Sequence, residues 1–247
     1  MSKLISRRKF LAGMTAASGA LLTGCSKDSL PPTYGSLFGL SNALTFAAHR
    51  LLLRQQPLVR EFGREMITRN FPAINTTNPE SEGYQRLLAD GFAEWRLPIE
   101  GLVARPAELS LEDLRRFPSR TQVTQHNCEQ GWSAIGEWTG VPLARVLEAV
   151  GMLPQARYVV FYTIDEWWDS LDMLDALHPQ TLLAYGMNGR DLPVPNGAPV
   201  RLRVERQLGY KNLKYITRMD VTDRLDDIED GTGAVGASHG YSWYAGI

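Results

Sequence analysis

From residue 41 onward apolar side chains recur with helical spacing: Leu44, Ala47, Ala48, Leu51 and Leu52 fall on one face, and Ser41 is placed to cap the start. Pro57 suits the first turn of a second short helix bearing Val59, Phe62 and Met66. Residues 41–68 therefore read as helical, with His49, Arg50, Arg54, Arg60 and Arg64 on a solvated side. Residues 69–100 show little periodicity until a strand near 97–103, and Pro72 keeps Arg69 to Asn75 extended or looped. Ser110 to Phe117 predicts a short capped helix stopped by Pro118, and 120–126 a strand. Pro142 to Val150 predicts a helix, with Gly151 after its end. Arg157 to Ile164 is β-rich, and Asn188-Gly189 marks a turn between Leu182–Met187 and Leu192–Val194. Val200, Leu202 and Val204 alternate with Arg201, Arg203 and Glu205, the pattern of a half-buried strand, and Lys214 to Asp220 is a further strand. Short strands with interspersed short helices, without a regular βαβ alternation, point to a mixed α+β fold.

The first 40 residues have a different character. Lys3, Arg7, Arg8 and Lys9 precede an apolar run from Phe10 to Leu22. That run is too short to span a bilayer and fits a cleavable signal. Ser6-Arg7-Arg8-Lys9-Phe10-Leu11 resembles a twin-arginine export signal, the route of proteins that cross already folded. Leu22-Thr23-Gly24-Cys25 resembles a bacterial lipobox, which makes Cys25 the acylated first residue of the mature chain. The expected organisation is a signal peptide (1–24), a tether (25–40), a helical segment (41–68) and one catalytic domain (69–247). A periplasmic protein held to a membrane by its lipid is the resulting expectation. The net charge is −1, and the signal holds four basic residues and no acid, so the mature chain is acidic. Nucleic acid is excluded as a partner on that balance.

With Cys25 consumed, Cys128 is the one thiol left. It sits in His126-Asn127-Cys128-Glu129-Gln130-Gly131-Trp132-Ser133, polar company for a cysteine that merely packs. A thiolate suits soft or thiophilic metals. Four-ligand zinc is disfavoured, because His49, His126, His178 and His239 have no metal spacing. A c-type haem is excluded by the lack of Cys-x-x-Cys-His. A thiol hydrolase pairing Cys128 with a histidine such as His239 stays open, without a flanking motif to support it.

Residues 69–247 resemble the molybdopterin-binding domain of the sulfite oxidase family. The matching segments, in order, are Arg69-Asn70-Phe71-Pro72, Gln125 to Ser133 around Cys128, Thr163 after the Tyr158–Ile164 strand, Leu183-Ala184-Tyr185-Gly186-Met187-Asn188-Gly189, Asn196-Gly197-Ala198-Pro199-Val200-Arg201, and Gly209-Tyr210-Lys211-Asn212-Leu213-Lys214-Tyr215. The resemblance implies a molybdenum–molybdopterin cofactor, in the form without a nucleotide, one per chain. It implies Cys128 as the protein's ligand to the metal and Arg69, Asn70, Phe71, His126, Thr163, Asn196, Arg201, Asn212, Leu213 and Lys214 as cofactor contacts. Arg201 and Lys214 are the cations suited to the pterin phosphate. The implied activity is oxygen-atom transfer coupled to two-electron redox, with electrons exchanged through a separate protein such as a cytochrome.

True sulfite oxidases set arginines beside the ligand cysteine, whereas here Glu129, Gln130, Gly131 and Trp132 follow it. A carboxylate there disfavours sulfite. The other branch of the family reduces methionine sulfoxide in periplasmic proteins, but this sequence differs from it in the cysteine loop and in the helices at 41–68, so that substrate is not carried over; the expectation is a small-molecule or sulfoxide-type oxo substrate, otherwise unspecified. Glu129, Trp132, Trp168, Tyr210, Trp243 and Tyr244 are candidates for the pocket wall, and Asp165 to Ser170 for a surface loop at its entrance. The competing reading is a lipoprotein that keeps the fold as a binding module without catalysis.

Overall fold

In the strand Tyr158–Thr163 apolar residues run without alternation: Val159, Val160 and Phe161 are all fully buried. A strand with one wet face alternates; this one is covered on both sides. The computed structural model shows why. It describes residues 37–53, 55, 57–229 and 231–247, so the export signal, the lipobox, the tether up to residue 36 and Arg54 lie outside the described residues.

The elements are α1 (Leu37–Leu52), α2 (Glu82–Ala89), β1 (Arg96–Gly101), β2 (Ala107–Ser110), α3 (Leu111–Arg116), β3 (Arg120–Asn127), β4 (Ser133–Pro142), α4 (Leu143–Ala149), β5 (Tyr158–Thr163), β6 (Trp168–Asp172), α5 (Met173–Ala176), β7 (Leu182–Met187), β8 (Arg190–Asp191), β9 (Arg201–Arg203), β10 (Ile216–Thr222) and α6 (Val235–Ser238). One sheet runs β2-β1-β10-β5-β6, with β1 and β10 parallel; the other runs β3-β4-β7-β8, with β9 also on β7. This is the expected α+β architecture. The main core lies between the sheets, where Ile99, Val159, Phe161 and Met219 meet Val141, Leu183 and Leu202, with Val146 and Leu147 of α4. On the other face of β5, Tyr158 and Val160 pack with Phe46 of α1, Trp168, Trp243 and Tyr244.

The capped helix at 111–116 forms as read: Ser110 and Asp113 make a reciprocal capping box. Asn188 and Gly189 take left-handed φ values of 51° and 74° and close the β7–β8 hairpin in two residues.

Several expectations are corrected. Ser41 is no cap, because α1 already runs from Leu37. No α-helix follows Pro57 in the segment up to residue 68; only Arg64–Met66 closes a single 3-10 turn. The Phe62 N–H donates to Val123 O of β3 (2.9 Å) and the Gln180 side chain brackets Val59 (2.8 and 3.2 Å), so extended chain outcompetes a lone helical turn. Arg50 is not solvated; it is buried against Asp172 (2.6 Å) and Asp175 (2.8 Å). Pairing after the Asn188-Gly189 turn ends at Asp191, because Pro193 and Pro195 have no N–H to give a ladder. β9 is buried on both faces, its arginines included: Arg203 is paired with Glu205 inside the protein, whereas Arg201 donates only to backbone carbonyls. Trp168 to Ser170 is not loop but part of β6, buried throughout; only the turn before it is exposed. Elements that were not anticipated are α2, β2, α5, α6 and β4, the last pairing along its length with β3 and then β7. Gly140 permits the second pairing: a Cβ there would stand 2.3 Å from Leu183 O.

Candidate active site

Cys128 is the first residue of the turn joining β3 to β4, whose ladder ends on the pair Asn127 and Ser133. Its N–H donates to Trp132 O (2.9 Å), and Gly131, at φ +90°, turns its N–H back to Cys128 O (3.1 Å). The loop is thus clamped at both ends, and Cys128, 6% exposed, faces a cavity of about 370 Å³. Burial pushes its thiol pKa up, the Gln130 N–H pulls the other way, and the Glu129 carboxylate (Oε2 3.5 Å from Sγ) pushes it up again. A thiol so placed ionises readily only beside a cation.

Of the residues singled out from the sequence, Phe71, His126, Thr163, Asn196, Arg201, Asn212, Leu213 and Lys214 line this cavity with Cys128. They come from both sheets. His126 and Arg201 belong to β3 and β9, Thr163 ends β5, and Lys214 leads into β10. Arg69 and Asn70 are exposed and do not line it; Phe71, next in the chain, does, held edge-on against Trp138 (5.3 Å). Of the proposed wall, Glu129, Trp132 and Tyr210 are in place. Trp168, Trp243 and Tyr244 are instead core residues behind β5 and β6. Trp167, just before β6, takes the place given to Trp168, which as the first residue of the strand faces the core behind it. His239 and Tyr241 close the cavity from the C-terminal segment, and Ile74 and Thr76 from the loop after Phe71. Sequence periodicity carries no signal for such loop contacts.

Arg201 is the most informative side chain. It is 5% exposed, it donates to Asn196 O (2.9 Å) and Asn212 O (2.8 Å), and its Nε has no partner in the protein. Burial, and then repulsion from Arg203, hold its pKa down at about 9. A buried guanidinium lined up on a cavity with only carbonyls for company is a site awaiting an anion. Lys214 adds to it: Nζ donates to Ile74 O (2.8 Å), Thr76 O and Pro195 O (3.3 Å), and burial followed by the Arg201 charge lowers its pKa to about 8. Arg203, by contrast, is spent: it pairs with Glu205 (2.6 Å), which also accepts from Gln122 (2.9 Å). It sits 2.7 Å from His126 Nδ1. A guanidinium can only donate, so Nδ1 accepts and the ring proton resides on Nε2. Burial and the two arginine charges push the His126 pKa down to about 2, so the ring is neutral at any working pH. Gly209 lets it approach: a Cβ there would stand 2.8 Å from Nε2. Asn212 holds this corner with its own side chain, accepting from Val204 N–H (2.8 Å) and donating to Leu208 O (3.0 Å).

Among the described residues no group of three or more His, Cys, Asp or Glu could hold a metal by itself. One cysteine and an anion subsite therefore fit a metal that brings its remaining ligands on a phosphorylated organic cofactor. A molybdenum–pterin would fit this donor set: its sulfurs would complete the metal, and Arg201 and Lys214 would hold its phosphate.

Comparison with known proteins agrees. Residues 86–228 match the family model of the oxidoreductase molybdopterin-binding domain. A candidate protein-methionine-sulfoxide reductase subunit (YedZ1) of Azospira oryzae is 36% identical over 245 residues, 99% of this chain and 89% of that protein. The protein-methionine-sulfoxide reductase catalytic subunit MsrP of Xanthomonas axonopodis pv. citri is 32% identical over 90% of this chain and 71% of its own. Among solved structures, the sulfane dehydrogenase SoxCD of Paracoccus pantotrophus superposes with a TM-score of 0.51 at 26% identity, covering 58% of this chain and 39% of that one. The chain belongs to the sulfite oxidase family of molybdopterin-dependent oxidoreductases.

Proposed function

We propose that this protein is the catalytic subunit of an exported sulfoxide reductase, acting on methionine sulfoxide and fed with electrons by a separate membrane redox protein. The observation that carries the reading is the wall around Cys128. Beside the thiol stands the carboxylate of Glu129, and the two cations lining the cavity, Arg201 and Lys214, are bound to backbone carbonyls and would be engaged by the cofactor's phosphate rather than offered to a substrate. A dianionic oxyanion meets repulsion there. A neutral S=O group flanked by apolar carbon meets Trp132, Trp167, Tyr210 and Tyr241 instead. The sulfoxide reductase names carried by two relatives point the same way.

The balance is sulfoxide plus two electrons and two protons giving thioether plus water, the electrons coming from the reduced partner. The bound cofactor, in its nucleotide-free form and one per chain, supplies the thiophilic metal and the two-electron redox couple. The chain's own part is positional. Cys128 supplies a sulfur from a clamped turn, Arg201 and Lys214 hold the phosphate, and the Nε2–H of His126 offers a neutral donor. Twin-arginine export fits a protein that must fold around its cofactor before crossing, and an acylated Cys25 would keep it at a periplasmic membrane face beside its electron source.

The test is elemental and catalytic together. Protein expressed with its own signal should hold about one molybdenum per chain and oxidise a reduced viologen dye on addition of methionine sulfoxide. Cys128→Ala should abolish turnover and alter the visible thiolate-to-metal absorption while the thermal midpoint holds. A molybdenum-loaded wild type that turns over sulfite and ignores sulfoxides would defeat the substrate assignment. A well-folded sample free of molybdenum, from a host that makes the cofactor, would favour the non-catalytic binding module.

A further inference from the structure

Helix α1 has two faces. Phe46 packs against Trp243 and Tyr244, and Arg50 reaches Asp172 and Asp175, fixing one side to the body. On the other side Leu40, Leu44 and Leu51, spaced by four and seven, share one stripe and are 44–55% exposed; Leu52 beyond them is 78% exposed. No charged residue interrupts that stripe. More exposed leucines flank the helix's attachments. Leu174 neighbours Asp175, and Leu58 follows Pro57, whose carbonyl meets His178 (3.3 Å). Single exposed leucines are ordinary, whereas this many on one helix and at its anchor points mark an interaction surface.

What covers it follows from the chain that leads into it. Cys25, the lipobox cysteine, lies 12 positions before Leu37. Fully stretched, that segment reaches about 40 Å at ~3.3–3.6 Å per residue. The helix itself, 16 residues and so about 24 Å long, is too short to span a hydrocarbon core of ~30 Å, and half of it is committed to the protein. No described helix is long and apolar enough to cross a membrane. A half-exposed leucine face is instead suited to lying along an interface. We propose that the exposed leucine face of α1 lies in the headgroup region of the bilayer that holds Cys25, giving the tethered molecule one fixed orientation. The inference rests on the acylated anchor proposed above.

The test uses the cofactor-loaded full chain, expressed with its own signal, on vesicles of phosphatidylethanolamine and phosphatidylglycerol. A nitroxide is placed by Ala48→Cys on the exposed side of α1; Cys128 is buried and ligated in such protein. On vesicles the label should become more accessible to oxygen and several-fold less accessible to a polar nickel complex. Leu44→Ser/Leu51→Ser should reverse that change while the acylated chain stays vesicle-bound. With Cys25→Ser, binding to excess vesicles should weaken but persist, and fall about tenfold for each leucine replaced. A label equally exposed in solution and on vesicles, with the chain bound, overturns the proposal. So does a label protected without vesicles, which would assign the face to a second copy. Absence of acyl mass on the mature N-terminus defeats the anchor alone; the Cys25→Ser vesicle measurement then still decides the leucine face.

Discussion

At the residue scale, two cations, one half-buried and one wholly buried, show how differently one type of charge can be used. Lys214 is poised for a ligand. Its pKa in the cofactor-free protein is lowered from 10.5 to about 8 by burial and by Arg201. Between those values the unfolded chain holds a proton that the folded chain has released, so folding stability rises with pH across that window. A bound phosphate keeps the ammonium charged and removes the slope. Denaturation of cofactor-free protein at pH 7.5 and 9.5 should therefore show a gain at the higher pH that Lys214→Met largely removes, the remainder coming from Arg201, and that the loaded enzyme lacks. Arg203 is committed to structure. It and Glu205 are both almost wholly buried and hydrogen-bonded to each other through two oxygens. Arg203→Met leaves a carboxylate buried with only Gln122, a loss of about 3–5 kcal/mol, and Arg203→Met/Glu205→Gln should recover most of it. Recovery absent from urea titrations of the pair would show that Arg203 acts through His126 or Trp138 rather than through Glu205.

At the element scale, α1 is held by chemistry more than by area. Arg50 lies over the rings of Phe46 and Tyr244 and between two buried aspartates. Burial works against its charge, and the carboxylates of Asp175 and Asp172 outweigh that and keep it protonated. Arg50→Ala should release the helix: amide exchange across 37–52 should approach that of a free peptide, while the strands between the sheets keep their protection. Loss of protection throughout the protein would show instead that Asp172 and Asp175, left short of a partner, unfold the body. The buried role of Arg50 was not legible, because helical periodicity places charges opposite the leucine stripe without saying what stands there. The same limit hid β4. Ser133 to Pro142 has two glycines and scattered apolar residues, and it is a strand because β3 and β7 flank it. What was legible was local chemistry: the Ser110 capping box, the Asn188-Gly189 turn, and the polar turn presenting Cys128. The cavity-facing set was legible through ordered motifs rather than through physics, and it failed where the contact was set by where a strand begins, as with Trp167 and Trp168, or by an exposed loop, as with Arg69 and Asn70.

At the scale of the whole molecule, the cavity lies where the two sheets converge. Cys128 and Arg201 come from the β3-β4-β7 sheet, while Thr163 and Lys214 come from the end of β5 and the approach to β10. A cofactor held by all four bridges elements that otherwise meet only through the core. It also answers the guanidinium of Arg201, whose burial is uncompensated in the protein alone. Binding to the folded state only, at a concentration a thousandfold above its dissociation constant, adds about 4 kcal/mol. For a chain of this size each kcal/mol moves the thermal midpoint by roughly 2–4 °C. Protein made in a host unable to synthesise the pterin should thus melt about 10 °C below the loaded form. Its extra amide exchange should be concentrated in 72–76, 126–132 and 209–215, the segments that reach the cavity from different parts of the fold. Equal midpoints, with exchange unchanged there, would mean that the site is fully formed without its cofactor. The proposed folding before export would then have to serve some purpose other than the capture of a stabilising ligand.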